Sequence, residues 1–489
     1  MKKSILLVTV DCLRTDHVGF MGYGCPTTPF LDGLADEIFV IPNAIAVGVP
    51  TYYSVPAILG SRYPLALGRD IIGLVPAEPT IASVLHDAGY ATAAFAAGNP
   101  YLSKRFGYDW GFDTFHDFLK AEGNAPADNE SQPTNRSWAS RLNQSLQKIR
   151  PSMGFLGSIY DELYFEYCQW VTPVPESLDS LRRFPAADVI VDHACDWLSS
   201  RRDVPFFLWL HLMDPHSPYY PKDAAISVLR QKPVSPQWAS YYNSYWNRGD
   251  LRPAQFERHR QQIVALYDAG VRWVDEQMKR LVDYLCQSNR WDNCIFALSA
   301  DHGEEFLEHG RRYHAPQLSE ELIRVPLLLR MPGIAKRGQN KSPFSLMHLA
   351  PTLLDAASVP APKEFRGHSC LEQVHLGQPF DDAAISECVA GCTNPFRPEN
   401  RMGSRILAVR ESRYKLVLCF DPMVESLYDL EADPGEQVPL PMNAQKPVRR
   451  RLLEIAHQHL GRSIEQRDQR MRLQANLRDI QLEWARSPT

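Results

Sequence analysis

Three short, nearly continuous apolar segments constrain the fold of this chain more than any other feature. They span residues 4–10, 205–210 and 294–298 and are rich in β-branched or aromatic side chains. An unbroken apolar segment of that length is typical of a strand buried on both faces, as the strands of a parallel sheet are. The sequence therefore predicts an α/β fold with these segments inside one sheet.

Acidic and imidazole side chains follow directly after these segments. Asp11 follows the first, Asp301 and His302 follow the third, and His211 and His216 come after the second. Ligands of open α/β sheets bind at the carboxyl ends of the strands, where a carboxylate beside an imidazole suits a divalent metal ion. Asp11 could instead only cap its turn. Because Asp11 and Asp301 occupy equivalent positions after their strands, the metal site is the favoured interpretation.

Two further polar residues lie at predicted element ends. Thr51 follows Pro50 at the predicted start of a helix, where backbone N–H groups and the helix dipole favour an anion such as phosphate. Thr51 could also serve only as the helix cap, and spacing alone does not separate the two readings. Asn99 follows a predicted strand at 92–96, so it is a candidate substrate contact or a structural turn residue.

Charge and hydropathy exclude several classes of protein. The net charge of −5 does not suit a general nucleic-acid binder. No segment approaches the length needed to span a bilayer, and residues 4–10 reach Asp11 without a signal-peptide cleavage site. The ten cysteines contain no CxxC pair, which favours reduced thiols. The sequence therefore predicts a cytoplasmic protein without a membrane span.

A chain of 489 residues predicts a large domain with a smaller one. The hydrophobic pattern weakens over 121–184, which indicates an insertion or lid. Residues 258–286 keep a period near 3.6 and predict a long amphipathic helix. In the tail, four apolar residues share one helix face and indicate packing on the domain or on a second subunit, in a homo-oligomer: Leu473, Leu477, Ile480 and Trp484.

Ordered sequence blocks resemble those of the sulfatase branch of the alkaline phosphatase superfamily. The blocks are V-D-C-L-R-T-D-H (10–17), P-T-Y-Y-S (50–54), G-S-R-Y-P (60–64), D-P-H-S-P-Y (214–219), L-Y-D-A-G-V (266–271), S-A-D-H-G-E (299–304), E-E-L-I-R-V-P (320–326), L-A-P-T-L-L-D (349–355), Y-K-L-V (414–417) and S-L-Y-D-L-E-A-D-P-G-E (426–436). The resemblance implies a sulfatase-like catalytic domain over 1–380, with an alkaline phosphatase-like large mixed sheet flanked by helices. It also implies a smaller C-terminal α+β subdomain over 381–489, with a small antiparallel sheet and a helical tail.

The resemblance assigns roles at the centre of the site. Asp11, Asp301 and His302 match metal-ligand positions. Thr51 matches the position of the nucleophile, which also touches the metal.

The same resemblance implies roles for residues around that centre. His216 and His314 match positions that hold the transferred group or protonate the leaving oxygen. Asn99 and His211 are expected to contact the substrate because of their positions at the ends of predicted strands, and not through the resemblance.

Two residues depart from the family pattern. Cys12 stands where many sulfatases have a second carboxylate, which implies either a leaner metal site or a thiolate ligand, and the leaner site is favoured. Sulfatases proper use a formylglycine made from Cys or Ser, whereas the secondary alcohol of Thr51 cannot be oxidised to an aldehyde. The chain thus resembles the threonine-using phosphodiesterases and phosphotransferases of the superfamily. Ser54 is the alternative nucleophile if the register of this block is different.

The sequence therefore predicts a metal-dependent hydrolase of phosphate or sulfate esters, with hydrolysis of phosphoesters or phosphodiesters through Thr51 favoured. The alternatives are a soluble phosphotransferase with the same phosphothreonine intermediate and a non-catalytic binding protein of the same fold. Zinc or manganese suits mixed carboxylate and imidazole ligands, with calcium or magnesium as alternatives. The expected substrate is a small-molecule or glycan ester.

Overall fold

The structure is a computed structural model that describes residues 2–119, 155–171 and 173–462, except for positions 36, 67, 69–71, 77, 202–203, 230–233, 335–339 and 381. Part of the predicted insertion, 121–154, lies outside the described residues. So do the tail residues predicted to share a helix face: Leu473, Leu477, Ile480 and Trp484.

An eight-stranded mixed sheet forms the centre of the fold. Its strands are β1 (Ser4–Val10), β2 (Phe39–Ile45), β3 (Ala91–Ala96), β4 (Thr114–His116), β5 (Phe206–Leu212), β6 (Cys294–Ala300), β9 (Arg324–Arg330) and β10 (Phe344–Ser345). Between β6 and β9, the short strands β7 (Glu305–Phe306) and β8 (Arg312–Tyr313) pair with each other. The order in the large sheet is β10-β2-β9-β6-β1-β5-β3-β4.

Most neighbours in this sheet are parallel, and β9 is the exception. It pairs antiparallel with both β2 and β6. The three apolar segments found in the sequence form β1, β5 and β6, whose residues are almost all buried. Both β5 and β6 run two residues further than the apolar segments, because His211 and Ser299 are buried within the sheet.

Helices flank the sheet in two groups. The helices are α1 (Pro29–Ala35), α2 (Thr51–Gly60), α3 (Ile81–Asp87), α4 (Phe155–Val171), α5 (Ala187–Ser199), α6 (Asp223–Leu229), α7 (Pro236–Trp246), α8 (Pro253–Phe256), α9 (Arg260–Gln287), α10 (Glu320–Ile323), α11 (Leu349–Ala356), α12 (Leu371–Leu376) and α13 (446–462). Long helix α9 packs against α1, α5, α6 and α7, and α11 packs against α2, α3 and α12.

A second, antiparallel sheet follows in the C-terminal part of the chain. Its strands, in spatial and chain order, are β11 (Ala384–Val389), β12 (Arg405–Glu411), β13 (Tyr414–Phe420) and β14 (Met423–Asp429). Helix α13 packs on this sheet through Leu452 and Ala456. The predicted α/β class, with a large mixed sheet and a smaller C-terminal α+β subdomain, is confirmed. In the described part of the chain, no helix combines the length and the apolar character needed to cross a membrane.

Candidate functional site

The carboxyl ends of β1, β5 and β6 meet at one edge of the large sheet. In the parallel register, Val10 lies beside Leu212 and Ala300. Asp11 and Asp301 each follow the last residue of their strand, so their side chains start from adjacent positions. The structure thus brings together residues that are far apart in sequence.

The turn after β1 is held tightly. Asp11 N donates to Leu212 O at 2.8 Å. Cys12 adopts a left-handed conformation with φ of 62°. The Tyr267 hydroxyl clamps this turn, because it donates to Cys12 O and accepts from Arg14 N, both at 2.8 Å. These contacts fix the direction in which the Asp11 carboxylate leaves the backbone.

The loop after β6 presents one carboxylate and one imidazole nitrogen to Asp11. His302 Nδ1 lies 2.9 Å from Gly303 O. Because a carbonyl oxygen only accepts hydrogen bonds, Nδ1 carries the proton and Nε2 carries the lone pair in the neutral ring. His302 Nε2 lies 3.6 Å from both Asp11 Oδ1 and Asp301 Oδ2.

Thr51 contributes a hydroxyl to the same cluster. It is the first residue of α2, a helix of ten residues, and it is buried. Its Oγ1 donates to Asp11 Oδ2 at 3.3 Å and lies 3.2 Å from His302 Nε2. By contrast, Ser54, one turn later, donates its hydroxyl to the backbone oxygen of Asp301 at 2.6 Å.

These residues fit a divalent metal ion. Asp11, Asp301 and His302 are fully buried, and their ligand atoms lie within 4.8 Å of one another. Asp301 Oδ2 has no hydrogen-bond partner within the described ranges, which is costly for a buried carboxylate without a cation. Burial and the neighbouring Asp11 raise the pKa of Asp301. A cation held by these residues would pair with the unpartnered Asp301 oxygen and offset the charge of the two carboxylates.

Asn99 and His211 contact the same oxygen of the Asp11 carboxylate as Thr51 does. Asn99 Nδ2 donates to Asp11 Oδ2 at 3.1 Å, and His211 Nε2 lies 3.3 Å from the same oxygen. His211 Nδ1 lies 2.8 Å from Thr9 Oγ1. The predicted substrate contact of His211 is therefore corrected: β5 continues through this residue, which lies within the sheet behind Asp11 and orients that carboxylate. Asn99 does line the cavity described below.

Two histidines lie on the solvent side of the cluster. The His314 ring centre is 4.8 Å from the ring centres of both His216 and His302. His314 Nδ1 lies 3.2 Å from the buried carboxylate of Glu304. Burial lowers the pKa of His314, but Glu304 outweighs it and raises this pKa to about 9. His216 differs, since burial lowers its pKa. The pKa values of the two rings are therefore shifted in opposite directions.

A cavity of about 890 Å³ opens onto this cluster. Its lining includes Thr51, Asn99, His216, Arg312 and His314. Aromatic side chains, among them Tyr52, Tyr101, Phe184 and Tyr313, form much of the remaining wall. The volume suits a small-molecule ligand.

Comparisons with known proteins identify the family. The family model described as "Sulfatase" matches residues 3–359. The chain belongs to the sulfatase family. A second sulfatase model, described as "N-sulphoglucosamine sulphohydrolase, C-terminal", matches residues 308–460. The protein is accordingly an ester hydrolase of this family.

Individual sulfatase-family relatives are distant. An arylsulfatase of Clostridium perfringens is 25% identical over 76% of this chain and 78% of its own length. The chain spans about half the length of several other curated relatives. A solved structure in complex with its substrate D-glucosamine-2-N,6-O-disulfate superposes with a TM-score of 0.68 at 19% identity and covers 95% of this chain and 99% of that one. The phosphonate monoester hydrolase of Agrobacterium radiobacter gives a TM-score of 0.63 at 17% identity, over 95% and 96%.

Sequence reasoning missed Glu304 as a partner of His314. The residue belongs to the block S-A-D-H-G-E, but a linear pattern does not show which way each side chain of that loop points. It also missed Arg312 and Tyr313 as cavity residues. Their only sequence signal was their position directly before His314.

Proposed function

We propose that the protein is a metal-dependent hydrolase of phosphate monoesters and diesters in which Thr51 is the nucleophile. The observation that carries the proposal is the position of Thr51 Oγ1, between Asp11 Oδ2 and His302 Nε2 on the cavity wall. The start of α2 adds backbone N–H groups and a dipole that favour an anion at this point. A phosphate ester bound there would present its phosphorus to Oγ1.

Asp11, Asp301, His302 and Thr51 are the residues proposed to hold the metal ion, with zinc or manganese preferred. A divalent ion bound by these residues would lower the pKa of the Thr51 hydroxyl and offset charge on the phosphate oxygens. Asn99 and His211 would keep the Asp11 carboxylate in place. The Thr51 hydroxyl releases its proton to solvent, and its oxygen forms a bond to phosphorus as the bond to the leaving oxygen breaks. Water later hydrolyses the phosphothreonine and restores the hydroxyl.

His314 is the proposed general acid. Glu304 holds Nδ1 and stabilises the imidazolium, whose ring lies beside His216 and His302 at the cavity. An acid that is protonated at neutral pH can donate a proton to the departing alkoxide. His216 Nδ1 lies 2.5 Å from Ser217 O, so its Nε2 carries the lone pair in the neutral ring. His216 is proposed to accept the proton of the water that resolves the intermediate.

The loss of activity in His314→Gln is expected to depend on the leaving group of the substrate. For an alkyl phosphate diester, kcat/KM should fall by about 10²- to 10⁴-fold, because the alkoxide needs a proton as it departs. For a nitrophenyl ester the loss should be far smaller, since nitrophenolate departs without protonation. Steady-state kinetics on the two substrates test this, with His86→Gln, at an exposed histidine, as the control. Equal losses on both substrates would contradict the assignment.

Sulfate-ester hydrolysis is the second candidate function. Family membership favours it, and so do the names of the relatives, which include an arylsulfatase and a protein in complex with a glucosamine disulfate. One structural neighbour is a phosphonate monoester hydrolase, and its name supports a phosphorus ester as the substrate. Thr51 favours phosphorus, because a threonine cannot supply the formylglycine of sulfatases proper, and Ser54 faces the Asp301 backbone instead of the cavity.

A substrate panel tests the proposed function. The purified chain, supplied with Mn²⁺ or Zn²⁺, is assayed on nitrophenyl esters of phosphate, phosphate diester, phosphonate and sulfate. We expect the phosphorus esters to be hydrolysed faster than the sulfate ester, with activity lost on chelation and restored by the ion. Mass spectrometry of acid-quenched reactions should find phosphate on Thr51. A fastest rate on the sulfate ester would replace phosphorus by sulfur as the proposed target.

A further inference from the structure

The thiol of Cys12 lies inside the polar cluster and has no part in the mechanism above. It is fully buried and donates to Asp11 Oδ1 at 3.0 Å. Its Sγ lies 3.3 Å from His314 Nδ1. The Cys12 sulfur, one nitrogen of His302 and one nitrogen of His314 lie within 4.8 Å of one another. The sulfur therefore borders the same space as the carboxylate oxygens.

The backbone conformation of Cys12 favours the direction of its side chain towards Asp11 and His314. Its φ of 62° is a left-handed conformation, which is strained for a residue with a Cβ and persists only where its surroundings impose it. The Tyr267 hydroxyl bonds to Cys12 O and Arg14 N and supplies that constraint. The conformation places Sγ against Asp11 and His314 instead of in the apolar interior.

We infer that Cys12 Sγ is an additional ligand of the divalent ion and makes this site selective for thiophilic ions such as Zn²⁺ and Cd²⁺ over Mn²⁺. The inference rests on the metal site of the proposed function. On binding, the S–H bond breaks, a sulfur–metal bond forms and the proton leaves to solvent. A thiolate ligand at Cys12 differs from the leaner metal site, without that ligand, which the sequence favoured.

The chemistry of the ligand set explains the selectivity. Carboxylate oxygens and imidazole nitrogens bind many divalent ions, whereas a thiolate favours zinc and cadmium. The Cys12 thiol donates to Asp11 Oδ1 at 3.0 Å, so a thiolate without a cation would lie against a carboxylate oxygen. A divalent cation supplies the opposite charge. The Cys12 thiol is therefore expected to lose its proton only when the divalent ion binds.

Titration of the metal-free full chain with CdCl₂ tests the inference. A thiolate bound to Cd²⁺ gives a near-ultraviolet charge-transfer band that oxygen and nitrogen ligands do not give. We expect the band to reach its full height at one equivalent in the natural chain and to be absent in Cys12→Ser. Cys294→Ser is the matched control and should keep the band. Cys294 is equally buried, but it is the first residue of β6 and lies at the end of this strand away from Asp301.

Competition between CdCl₂ and MnCl₂ gives a second readout. Cys12→Ser should weaken Cd²⁺ binding by at least about tenfold, the lower limit found for partners of metal ligands, and should weaken Mn²⁺ binding less. A natural chain without the band, or a Cys12→Ser chain with unchanged Cd²⁺ affinity, would overturn the inference. Hydrolysis without the band would leave the proposed function intact, and a band without hydrolysis would remove only the proposed function.

Discussion

Thr51→Ala is expected to reduce kcat/KM for a phosphate diester by on the order of 10⁴-fold or more, as loss of a nucleophile does in other hydrolases. The hydroxyl is buried in a cluster of Asp11, Asp301 and His302, and no other described hydroxyl donates to the Asp11 carboxylate. The change removes only a few atoms, so the cavity and the neighbouring ligands should remain. Steady-state kinetics with saturating Mn²⁺ measure the effect.

Two further variants make this result specific. Thr51→Ser keeps a hydroxyl on the first turn of α2 and should retain much of the phosphodiesterase activity. Ser54→Ala removes the other hydroxyl of the same segment, which donates to Asp301 O at 2.6 Å, and should cause only a modest loss. If Ser54→Ala were inactive while Thr51→Ala retained its rate, the nucleophile would be Ser54 and the register proposed for this segment would be wrong.

The central strands were predictable because they are buried on both faces. The unbroken apolar segments at 4–10 and 294–298 left no other good interpretation, and the positions of Asp11 and Asp301 followed from parallel pairing. The antiparallel insertion of β9 between β2 and β6 was not predictable, since an apolar strand carries no signal for its direction. The predicted ends of the strands were also inaccurate. His211 was expected just after the end of its strand, yet it is paired within β5.

The residues around the cluster were harder to assign, because loops impose no regular alternation of side chains. Asp301, His302 and Glu304 are close in sequence and all buried, but Glu304 reaches His314 while Asp301 faces Asp11. Cys12 could be identified from sequence only as a departure from the family pattern. Its left-handed backbone, and thus the direction of its thiol, depends on a clamp by Tyr267 that is distant in the chain.

The contacts that join the two parts of the chain were not visible in the sequence. Glu387, in β11, is a fully buried carboxylate that contacts three separate segments. It accepts from Leu65 N at 2.9 Å, pairs with Arg405 of β12 and lies 3.0 Å from His459 Nε2 of α13. Its own N–H donates to Val47 O at 2.9 Å. One side chain thus ties the large domain to the C-terminal sheet and its helix.

Glu387→Gln is expected to destabilise the fold strongly at neutral pH. Burial alone would raise the pKa of Glu387, but Arg405 and the hydrogen bond with His459 lower it from 4.5 to about 2. At 1.36 kcal/mol per pKa unit, this shift corresponds to about 3 kcal/mol of stability. Urea unfolding at pH 7 measures the loss. Glu431→Gln, in an exposed ion pair with Arg413, is the matched control and should change little.

The sign of the pH dependence separates this charge effect from a packing defect. Because the folded pKa of Glu387 is depressed, its contribution is complete above the unfolded pKa near 4.5 and is lost as pH falls towards 2. The difference in unfolding free energy between the natural chain and Glu387→Gln should therefore shrink steadily over that window. A difference that stays constant from pH 7 to pH 3 would show that glutamine disturbs the packing of Leu65 and α13, and that the buried charge pair itself adds no stability.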